Sequence, residues 1–352
     1  MTSKEQNIEW LDSLRALAIV GVIIIHITTP VVKMSYGTNL LYWWIGNIID
    51  STVRFAVPVF LMLSGATMLD KSYNIGKFYK KRIIRVLVPF LFWMIVYWIF
   101  RWYSLPAQLK PHGFAHITDW AVNLFLTVGV SKHFWYIYMI LFLYLFVPLF
   151  ALFVRNMSSS MILFLLGAWV LLCYISNSLP INMYTWSGDY FSKIYGYFLY
   201  SGYMFLGFFI YKYTYVSRNI RLTCGILFFI TILISGFVTY FDSQKDGKLN
   251  TAVYSYLNPN SMIQSFAIFL WLKNIIIRNK IMQHVQKIIS NYSYGIYLVH
   301  ILVIDVLFQH KILWTMAHPL LSLPLLFFLT LTASFFIIYI LRKIPFGKYI
   351  SG

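Results

Sequence analysis

The first apolar segment of the chain carries two side chains, Arg15 and His26, that membrane-spanning helices normally exclude. They are eleven positions apart, about three turns of an α-helix, so both side chains lie on nearly the same face. The rise between them is about 16 Å, roughly half of a hydrocarbon core. Asp12 precedes Arg15 by three positions and could orient the guanidinium or cap the helix. This face predicts one wall of an active site that extends into a membrane, with a titratable imidazole at its deep end.

A second group of cations follows the second apolar segment. Six basic residues lie between positions 71 and 85, and Arg82 and Arg85 are three positions apart, so they are neighbours on one helix face. Paired guanidinium groups at a membrane edge are suited to bidentate binding of phosphate. Basic loops on the cytoplasmic side are also an ordinary topology signal, so the pair alone leaves both interpretations open.

Three other features could support a site within the membrane. Arg54 follows Asp50 by four positions in the second segment, so an internal ion pair is the simpler interpretation. Ser64 and Gly65 are two adjacent small residues later in this segment. Such a pair is typical of close helix packing and, less often, of a backbone that approaches a ligand. Trp135 belongs to an aromatic cluster that fits a membrane belt or stacking on a sugar ring.

A second histidine, His300, lies in a later apolar segment at about the depth of His26 on the topology given below. A single buried histidine is more often a satisfied core residue. Two at one depth, with Arg54 at a similar height, predict a polar chamber. Within the apolar segments, the histidines and carboxylates form no i, i+3 or i, i+4 ligand pair, so no metal site is expected.

Composition limits the class of protein. The chain has 352 residues, of which 60% are hydrophobic and only 11% charged, and its mean hydropathy is +0.72. Because a soluble domain carries about 25% charged residues, a polytopic membrane protein is predicted. The net charge of +18 fits basic cytoplasmic loops and contact with anionic membrane lipids, and no nucleic-acid partner is expected. Cys173 and Cys224 lie in apolar segments and imply no disulfide framework.

About ten apolar segments are long enough to position these side chains across a membrane. With the N-terminus inside, the inner segments hold 19 basic residues and the outer segments hold 8, so both termini are predicted to be cytoplasmic. No linker divides the chain, and residues 1–352 are expected to form one all-α transmembrane domain. The predicted spans are residues 13–33, 47–69, 86–104, 133–154, 160–179, 196–213, 222–241, 258–273, 288–308 and 320–341.

Between the third and fourth spans the sequence predicts a helix that does not cross the membrane. Thr118 and Asp119 resemble an N-cap before the apolar run that begins at Trp120. This run is too short to span the hydrocarbon core, so it is expected to lie on the outer surface or to re-enter.

Five short motifs carry most of these residues, in an order that covers nearly the whole chain. They are Leu11-Asp12-Ser13-Leu14-Arg15 with His26, Pro58-Val59-Phe60-Leu61-Met62-Leu63-Ser64-Gly65, Arg82-x-x-Arg85, His133-Phe134-Trp135-Tyr136, and Tyr294-Gly295-Ile296-Tyr297-Leu298-Val299-His300. Together they resemble acyltransferase family 3, the membrane-bound O-acyltransferases of surface polysaccharides. The likeness is greatest to the compact, ten-span enterobacterial common antigen O-acetyltransferase type. The sequence lacks the additional extracytoplasmic catalytic domain of some members.

The resemblance implies transfer of an acyl group, usually acetyl, from cytoplasmic acyl-CoA to a hydroxyl of a cell-surface polysaccharide or a lipid-linked glycan precursor. Arg15 and His26 match the family's first-helix pair, and Arg82 and Arg85 match its basic pair. Acetyl-CoA is then the expected donor substrate, with no metal, and the cytoplasmic (inner) membrane the expected location. Membrane lipids, a glycan-biosynthesis protein or a second copy of the chain are the remaining partners that such a function allows.

A mechanism follows as a hypothesis. Arg15, Arg82 and Arg85 hold the donor phosphates at the cytoplasmic mouth, and the pantetheine arm extends toward His26. His26 acts as general base on the acceptor hydroxyl, since an unperturbed imidazole titrates near about pH 6.5. A transient acyl-histidine is the competing route. The oxyanion could be stabilised by Arg54, Ser64 or His300, which the sequence does not rank.

Two other classes of protein share these features. A transporter or flippase for a glycan or small anion would have the same spans, buried Arg and His and basic mouth, although no inverted repeat is visible. A non-catalytic membrane subunit of a glycan synthase would not need Arg15 and His26 on one helix face. Substitution of this pair would then have no effect on activity.

Overall fold

All regular elements in the described part of the chain are helices. A computed structural model describes residues 3–111, 113–126, 130–178 and 188–352, and no strand occurs in these ranges. A helix satisfies its own backbone hydrogen bonds, which a hydrocarbon environment requires. The helices are α1 (Ser3–Ser35), α2 (Leu40–Thr52), α3 (Ala56–Met68), α4 (Ile75–Arg82), α5 (Val88–Ser104), α6 (Phe114–Leu126), α7 (Trp135–Arg155), α8 (Ser159–Ser178), α9 (Gly188–Tyr213), α10 (Arg218–Asp246), α11 (Pro259–Leu272), α12 (Lys280–Gln309), α13 (Pro319–Lys343) and α14 (Gly347–Ile350).

Eight helical segments within the described ranges are long and apolar enough to cross a membrane. They are Glu9–Ser35, Leu40–Met68, Ile75–Ser104, Lys132–Arg155, Ser159–Asn177, Arg218–Asp246, Lys280–Gln309 and Pro319–Lys343. The other two predicted spans fall on α9, which is rich in tyrosine, and on α11, which has only 14 residues. The predicted all-α, multi-pass class is confirmed. The count of about ten spans, the cytoplasmic termini and the single domain stay predictions.

The helix α1 lies at the centre of the bundle and packs against α2, α3, α11, α12 and α13. Its contact side chains, such as Leu14, Ile19 and Ile23, are fully buried. The helix begins at Ser3, well before the predicted span. Asp12 therefore lies inside the helix and is not its N-cap.

The second span is broken in its middle. The helix α2 ends at Thr52 and α3 begins at Ala56, so Val53, Arg54 and Phe55 form a turn between them. Pro58 explains the break, because it has no N–H to donate to the carbonyl of Arg54 four residues earlier. The break places the Arg54 side chain at a discontinuity in the bundle.

The third span contains a comparable irregularity. A π-helical turn, Ile83–Leu87, connects α4 to α5 and contains Arg85. Pro89 follows Arg85 by four positions and again cannot bond to its carbonyl, so the local hydrogen bonding shifts to the wider turn. Each of these two irregular segments thus holds an arginine that the sequence singles out.

Glycine contacts hold α3 against α9. A methyl group at Gly65 would lie 1.8 Å from the carbonyl oxygen of Met204, and one at Gly207 would lie 2.1 Å from that of Met62. These backbones approach more closely than any side chain would allow. The close helix packing predicted at Gly65 is therefore observed.

The short helix α6 differs from its prediction in where it begins. It runs from Phe114 to Leu126, several residues before Trp120. The Thr118 hydroxyl bonds to the carbonyl of Ala115 at 2.8 Å, which is a mid-helix contact and not a cap. Thirteen residues rise about 20 Å, so the expectation of a non-spanning helix is consistent with the structure.

Candidate active site

A cavity of about 400 Å³, named here the basic cavity, gathers cations from three separate segments. These cations are Arg15, Lys71, Arg82 and Arg85. The structure thus brings together the three arginines that the sequence proposes for donor binding. It adds Lys71, which in the sequence is only one of six basic residues between positions 71 and 85.

Asp12 and Ser290 hold the guanidinium of Arg15. The Nη1 of Arg15 lies 2.8 Å from the Asp12 carboxylate and donates to the Ser290 hydroxyl at 3.1 Å. The Ser290 hydroxyl donates to the same Asp12 oxygen at 2.7 Å. Of the two roles considered for Asp12, the structure supports orientation of Arg15.

Arg82 and Arg85 have no anionic partner among the described residues. The guanidinium of Arg82 lies 5.2 Å from the Phe78 ring and 5.0 Å from the Tyr144 ring. Aromatic faces orient a guanidinium without neutralising its charge. Both arginines therefore present positive charge to the basic cavity.

Ser64 lies in the basic cavity and not beside His26. Its hydroxyl donates to the carbonyl of Phe60 at 3.0 Å, within its own helix. Its hydrogen is thus already engaged. This weakens the case for Ser64 as an oxyanion donor.

Three histidine rings meet near the middle of the bundle. The ring centroids of His26 and His300 are 5.2 Å apart, those of His133 and His300 are 5.1 Å apart, and those of His26 and His133 are 6.3 Å apart. His300 is fully buried, His133 is 2% exposed and His26 is half-buried. The predicted convergence of His26 and His300 is observed. The sequence placed His133 in an aromatic cluster at the membrane surface, although its titratable ring at the start of an apolar span was a signal for this role.

Hydrogen bonds determine the tautomer of His300. Its Nδ1 lies 2.7 Å from the carbonyl oxygen of Tyr297 and 3.2 Å from that of Ile296. Carbonyls only accept, so Nδ1 carries the proton and a neutral ring keeps a lone pair on Nε2. The Nδ1 of His133 bonds to the Ser131 hydroxyl at 2.7 Å. The Nε2 atoms of His133 and His300 are buried without a partner.

A second cavity, of about 550 Å³, reaches the histidines from another side and is named here the histidine cavity. Its lining includes His26, His133, Tyr97, Arg101, Lys132 and Asp305. No group of three or more His, Cys, Asp and Glu side chains in the described ranges could hold a metal ion. The histidine cavity is thus lined by two imidazoles together with other polar and charged side chains.

Two tyrosines separate the two cavities. Tyr136 and Tyr297 line the basic cavity, with ring centroids 5.6 Å apart. The Tyr297 ring also lies 5.3 Å from His133 and 5.7 Å from His300. The Tyr297 hydroxyl donates to the backbone carbonyl of His133. The separating layer is therefore about one side chain thick.

Arg54 lies near the histidines but is paired. It forms the predicted ion pair with Asp50, whose carboxylate also accepts from the Thr28 hydroxyl at 3.0 Å. The guanidinium lies 4.1 Å from the Tyr254 ring, interacts electrostatically with His26, and leaves its Nε without a partner. Burial raises the pKa of the Tyr254 hydroxyl, against the opposing effect of Arg54, so this loop residue stays neutral. Asp50 is then the anion that balances Arg54.

Trp135 is half-buried, packs against the core and lines neither cavity. Its ring stacks on Tyr256 with centroids 6.0 Å apart and contacts Tyr200 at 5.6 Å. This ring therefore packs against two tyrosines of the protein.

Comparison with known proteins gives one family. A family model described as an acyltransferase domain, that of acyltransferase family 3, matches residues 8–341. The matched range includes the three histidines and all four cations of the basic cavity. No curated protein and no solved structure matches the chain.

Proposed function

Since this chain belongs to acyltransferase family 3, we propose that it is a membrane O-acyltransferase of the cell envelope. An acyl group, acetyl being the simplest, passes from acyl-CoA to a hydroxyl of a cell-surface polysaccharide or a lipid-linked glycan precursor. The observation that carries this proposal is the pair of cavities, one basic and one polar, that approach the same histidine cluster from different sides. A donor and an acceptor could then reach one imidazole without sharing a mouth.

The basic cavity suits the phosphate groups of CoA. Arg82 and Arg85 carry unpaired charge there, and guanidinium groups bind phosphate oxygens in pairs. Arg15 and Lys71 add further positive charge. From Arg15 the helix rises about 16 Å to His26, a distance that the pantetheine arm can cover. The thioester must pass Tyr297 to reach the histidines, so this side chain is expected to move when the donor binds.

His26 is the proposed general base. Its neutral ring takes the proton of the acceptor hydroxyl as the oxygen attacks the thioester carbonyl. The tetrahedral intermediate then collapses, the C–S bond breaks, and the imidazolium returns the proton to the leaving thiolate. The lone pair on Nε2 of His300 can accept the other ring N–H of His26 after a small rotation, since the centroids are 5.2 Å apart. His300 would thereby set the tautomer that leaves His26 basic.

Arg54 is the best placed of the three residues considered for the oxyanion. Its Nε–H is a buried donor without a partner, and it interacts electrostatically with His26. Ser64 lies in the other cavity with its hydroxyl engaged, and the Nδ1–H of His300 is used by backbone carbonyls. A donor that is already buried needs little reorganisation when charge develops.

Donor turnover in membranes tests the proposal. Radiolabelled acetyl-CoA is given to membranes that hold equal amounts of wild type, His26→Ala or His310→Ala, the last being an exposed histidine outside both cavities. We expect wild type and His310→Ala to consume the donor and His26→Ala to lose this activity. Label retained on the protein would favour the acyl-histidine route.

The contrary result is equally clear. If wild type neither binds nor turns over acetyl-CoA or any longer acyl-CoA while glycan export still depends on it, the enzyme proposal is wrong. The transporter or flippase alternative would then explain two cavities separated by a thin layer. Unchanged turnover of acetyl-CoA by His26→Ala would show that His26 is not the general base and that other residues carry out the reaction.

A further inference from the structure

An apolar groove lies next to the histidine cavity, between α5 and α6. Its volume is about 240 Å³ and its lining contains no charged side chain. The lining residues are Met94, Ile95, Trp98, Ala121, Phe125 and Val130. Val130 also lines the histidine cavity, so the two spaces share a wall. A polar cavity and an apolar groove are thus side by side.

The groove is open toward the surface of the bundle. Ile95 is 57% exposed and Phe125 is 41% exposed, on a part of the molecule that faces lipid if α5 crosses the membrane. The groove therefore communicates with a hydrocarbon environment. The histidine cavity beside it contains Tyr97 and Asp305 and suits a hydrated ligand.

Two cations lie on the polar side of this boundary. Arg101, in the last turn of α5, and Lys132, just before α7, both line the histidine cavity and are exposed. Arg101 follows Trp98 of the groove by three positions, which is a rise of about 4.5 Å. Asp305 interacts with Arg101, but neither cation forms a close ion pair within the described residues. Positive charge thus remains for an anionic ligand.

The walls of the groove are held in place. Trp120 of α6 packs on Trp98 and on Trp102 of α5, both at 5.6 Å between ring centroids. The Tyr138 hydroxyl donates to the Phe125 carbonyl at 2.9 Å and ties the end of α6 to α7. The groove is therefore a built feature, and not a chance gap between mobile helices.

We propose that the acceptor is a lipid-linked glycan that occupies both spaces at once. Its hydrocarbon chain lies in the groove, its phosphate contacts Arg101 and Lys132, and its sugar enters the histidine cavity with a hydroxyl toward His26. This inference rests on the proposed function and selects the lipid-linked precursor over a free polysaccharide. A free polysaccharide has no apolar chain, and an ordinary phospholipid has no sugar for the cavity.

Photolabelling of the intact protein in lipid nanodiscs tests the occupant. The probe is a polyprenyl phosphate with a photoreactive group on its hydrocarbon chain, and labelled peptides are identified by mass spectrometry. We expect labelling of α5 and α6 that falls about tenfold in Ala121→Trp, where the indole fills the groove. Val122→Trp is the matched control, because Val122 is 54% exposed on the same helix and does not line the groove.

Competition on the wild type distinguishes the lipid classes. Unlabelled polyprenyl phosphate should displace the probe, whereas phosphatidylglycerol and uncharged polyprenol should not. Arg101→Gln and Lys132→Gln should weaken binding of the phosphate probe, whereas the control Lys311→Gln, at an exposed lysine outside both spaces, should leave its binding unchanged. Equal displacement by phosphatidylglycerol would mean that the groove holds ordinary lipid, which overturns the proposal.

The donor assay separates this failure from failure of the proposed function. The wild type should show His26-dependent hydrolysis of acetyl-CoA in the absence of any lipid probe, because the basic cavity and the groove share no lining residue. If Ala121→Trp loses labelling by the probe and the wild type hydrolyses acetyl-CoA, the acceptor site is supported. Unchanged labelling in Ala121→Trp with intact hydrolysis by the wild type overturns the acceptor site and leaves the acyltransferase intact.

Discussion

The three histidines of the cluster differ in what their ring nitrogens are free to do. His26 and His133 both line the histidine cavity, but His133, like His300, uses Nδ1 within the protein and keeps an unpartnered Nε2. A buried ring nitrogen without a partner is costly, so these atoms are expected to bond when substrate or a reoriented His26 completes the site. The histidines are thus unequal members of one site.

His300→Phe tests this inequality. The change removes the Nε2 acceptor and keeps a ring in the buried position, so we expect kcat to fall about a hundredfold while the KM for acetyl-CoA changes little. Steady-state kinetics of the purified protein measure both values. A large rise in KM with kcat unchanged would show that His300 acts in donor binding and not in positioning His26.

The unpaired arginines of the basic cavity predict a different kinetic signature. Arg82→Gln and Arg85→Gln should each raise the KM for acetyl-CoA about tenfold, because a charge-assisted hydrogen bond contributes roughly 1.5–3 kcal/mol. Lys80→Gln is the control, since Lys80 is exposed on α4 and does not line the cavity. If Lys80→Gln raises the KM equally, the overall positive charge of this region explains donor binding better than specific contacts in the basic cavity.

Helix periodicity alone puts Arg15 and His26 on one face, but it does not reveal that they line different cavities. The layer that separates them is made by Tyr136 and Tyr297, from two helices far away in sequence. Spacing along one helix is a local property, whereas the meeting of helices depends on packing over the whole bundle. His133 was missed for this reason.

Among the elements, the two irregular helices share a local cause. Arg54 precedes Pro58 and Arg85 precedes Pro89 by four positions, so each arginine carbonyl lacks its usual N–H partner. The first case breaks the helix and the second widens it to a π turn. This pairing of arginine and proline was visible in the sequence, but the type of distortion depends on the neighbouring helices.

The buried ion pair at the first break is expected to be important for stability. Asp50→Asn leaves Arg54 buried and unpaired, which costs about 3–5 kcal/mol of unfolding free energy. Asp70→Asn, at the exposed Asp70–Lys212 pair, should cost about 0–1 kcal/mol. Thermal unfolding of the two variants in the same detergent compares them. Equal melting temperatures would mean that tyrosines or water compensate Arg54.

A second prediction concerns the close packing of α3 against α9. Gly207→Ala should strongly reduce the yield of folded protein, because the added methyl would lie 2.1 Å from the Met62 carbonyl oxygen. Gly196→Ala on the same helix should be tolerated, since nothing lies within 4 Å of its added methyl. Size-exclusion profiles of the two variants measure the difference. Similar profiles would show that α3 and α9 can separate at little cost.

For the whole molecule, composition and apolar segments predict the helical membrane class, since lipid permits few other structures. They do not fix the number of spans. The helix α11 is short, and its C-terminal end is tied to neighbours by Lys273, which donates to the carbonyls of Ile210 and Thr214. Such tertiary contacts decide how a marginal apolar segment is placed, and no hydropathy window contains them.

Orientation in the membrane links the fold to the function, because acyl-CoA is cytoplasmic and the basic cavity must face it. The only cysteines, Cys173 and Cys224, are buried, so an introduced cysteine can be labelled over a low background. Lys80→Cys lies on the basic-cavity side and Lys248→Cys follows α10 on the side predicted to be outer. In intact cells, a membrane-impermeant maleimide should label Lys248→Cys at once and Lys80→Cys only after permeabilisation. This is the result expected if the segments with the excess of basic residues are cytoplasmic. The opposite pattern would put the four cations of the basic cavity on the outer face, where acyl-CoA is absent. The basic cavity would then need another anion, and the donor half of the proposed function would be wrong.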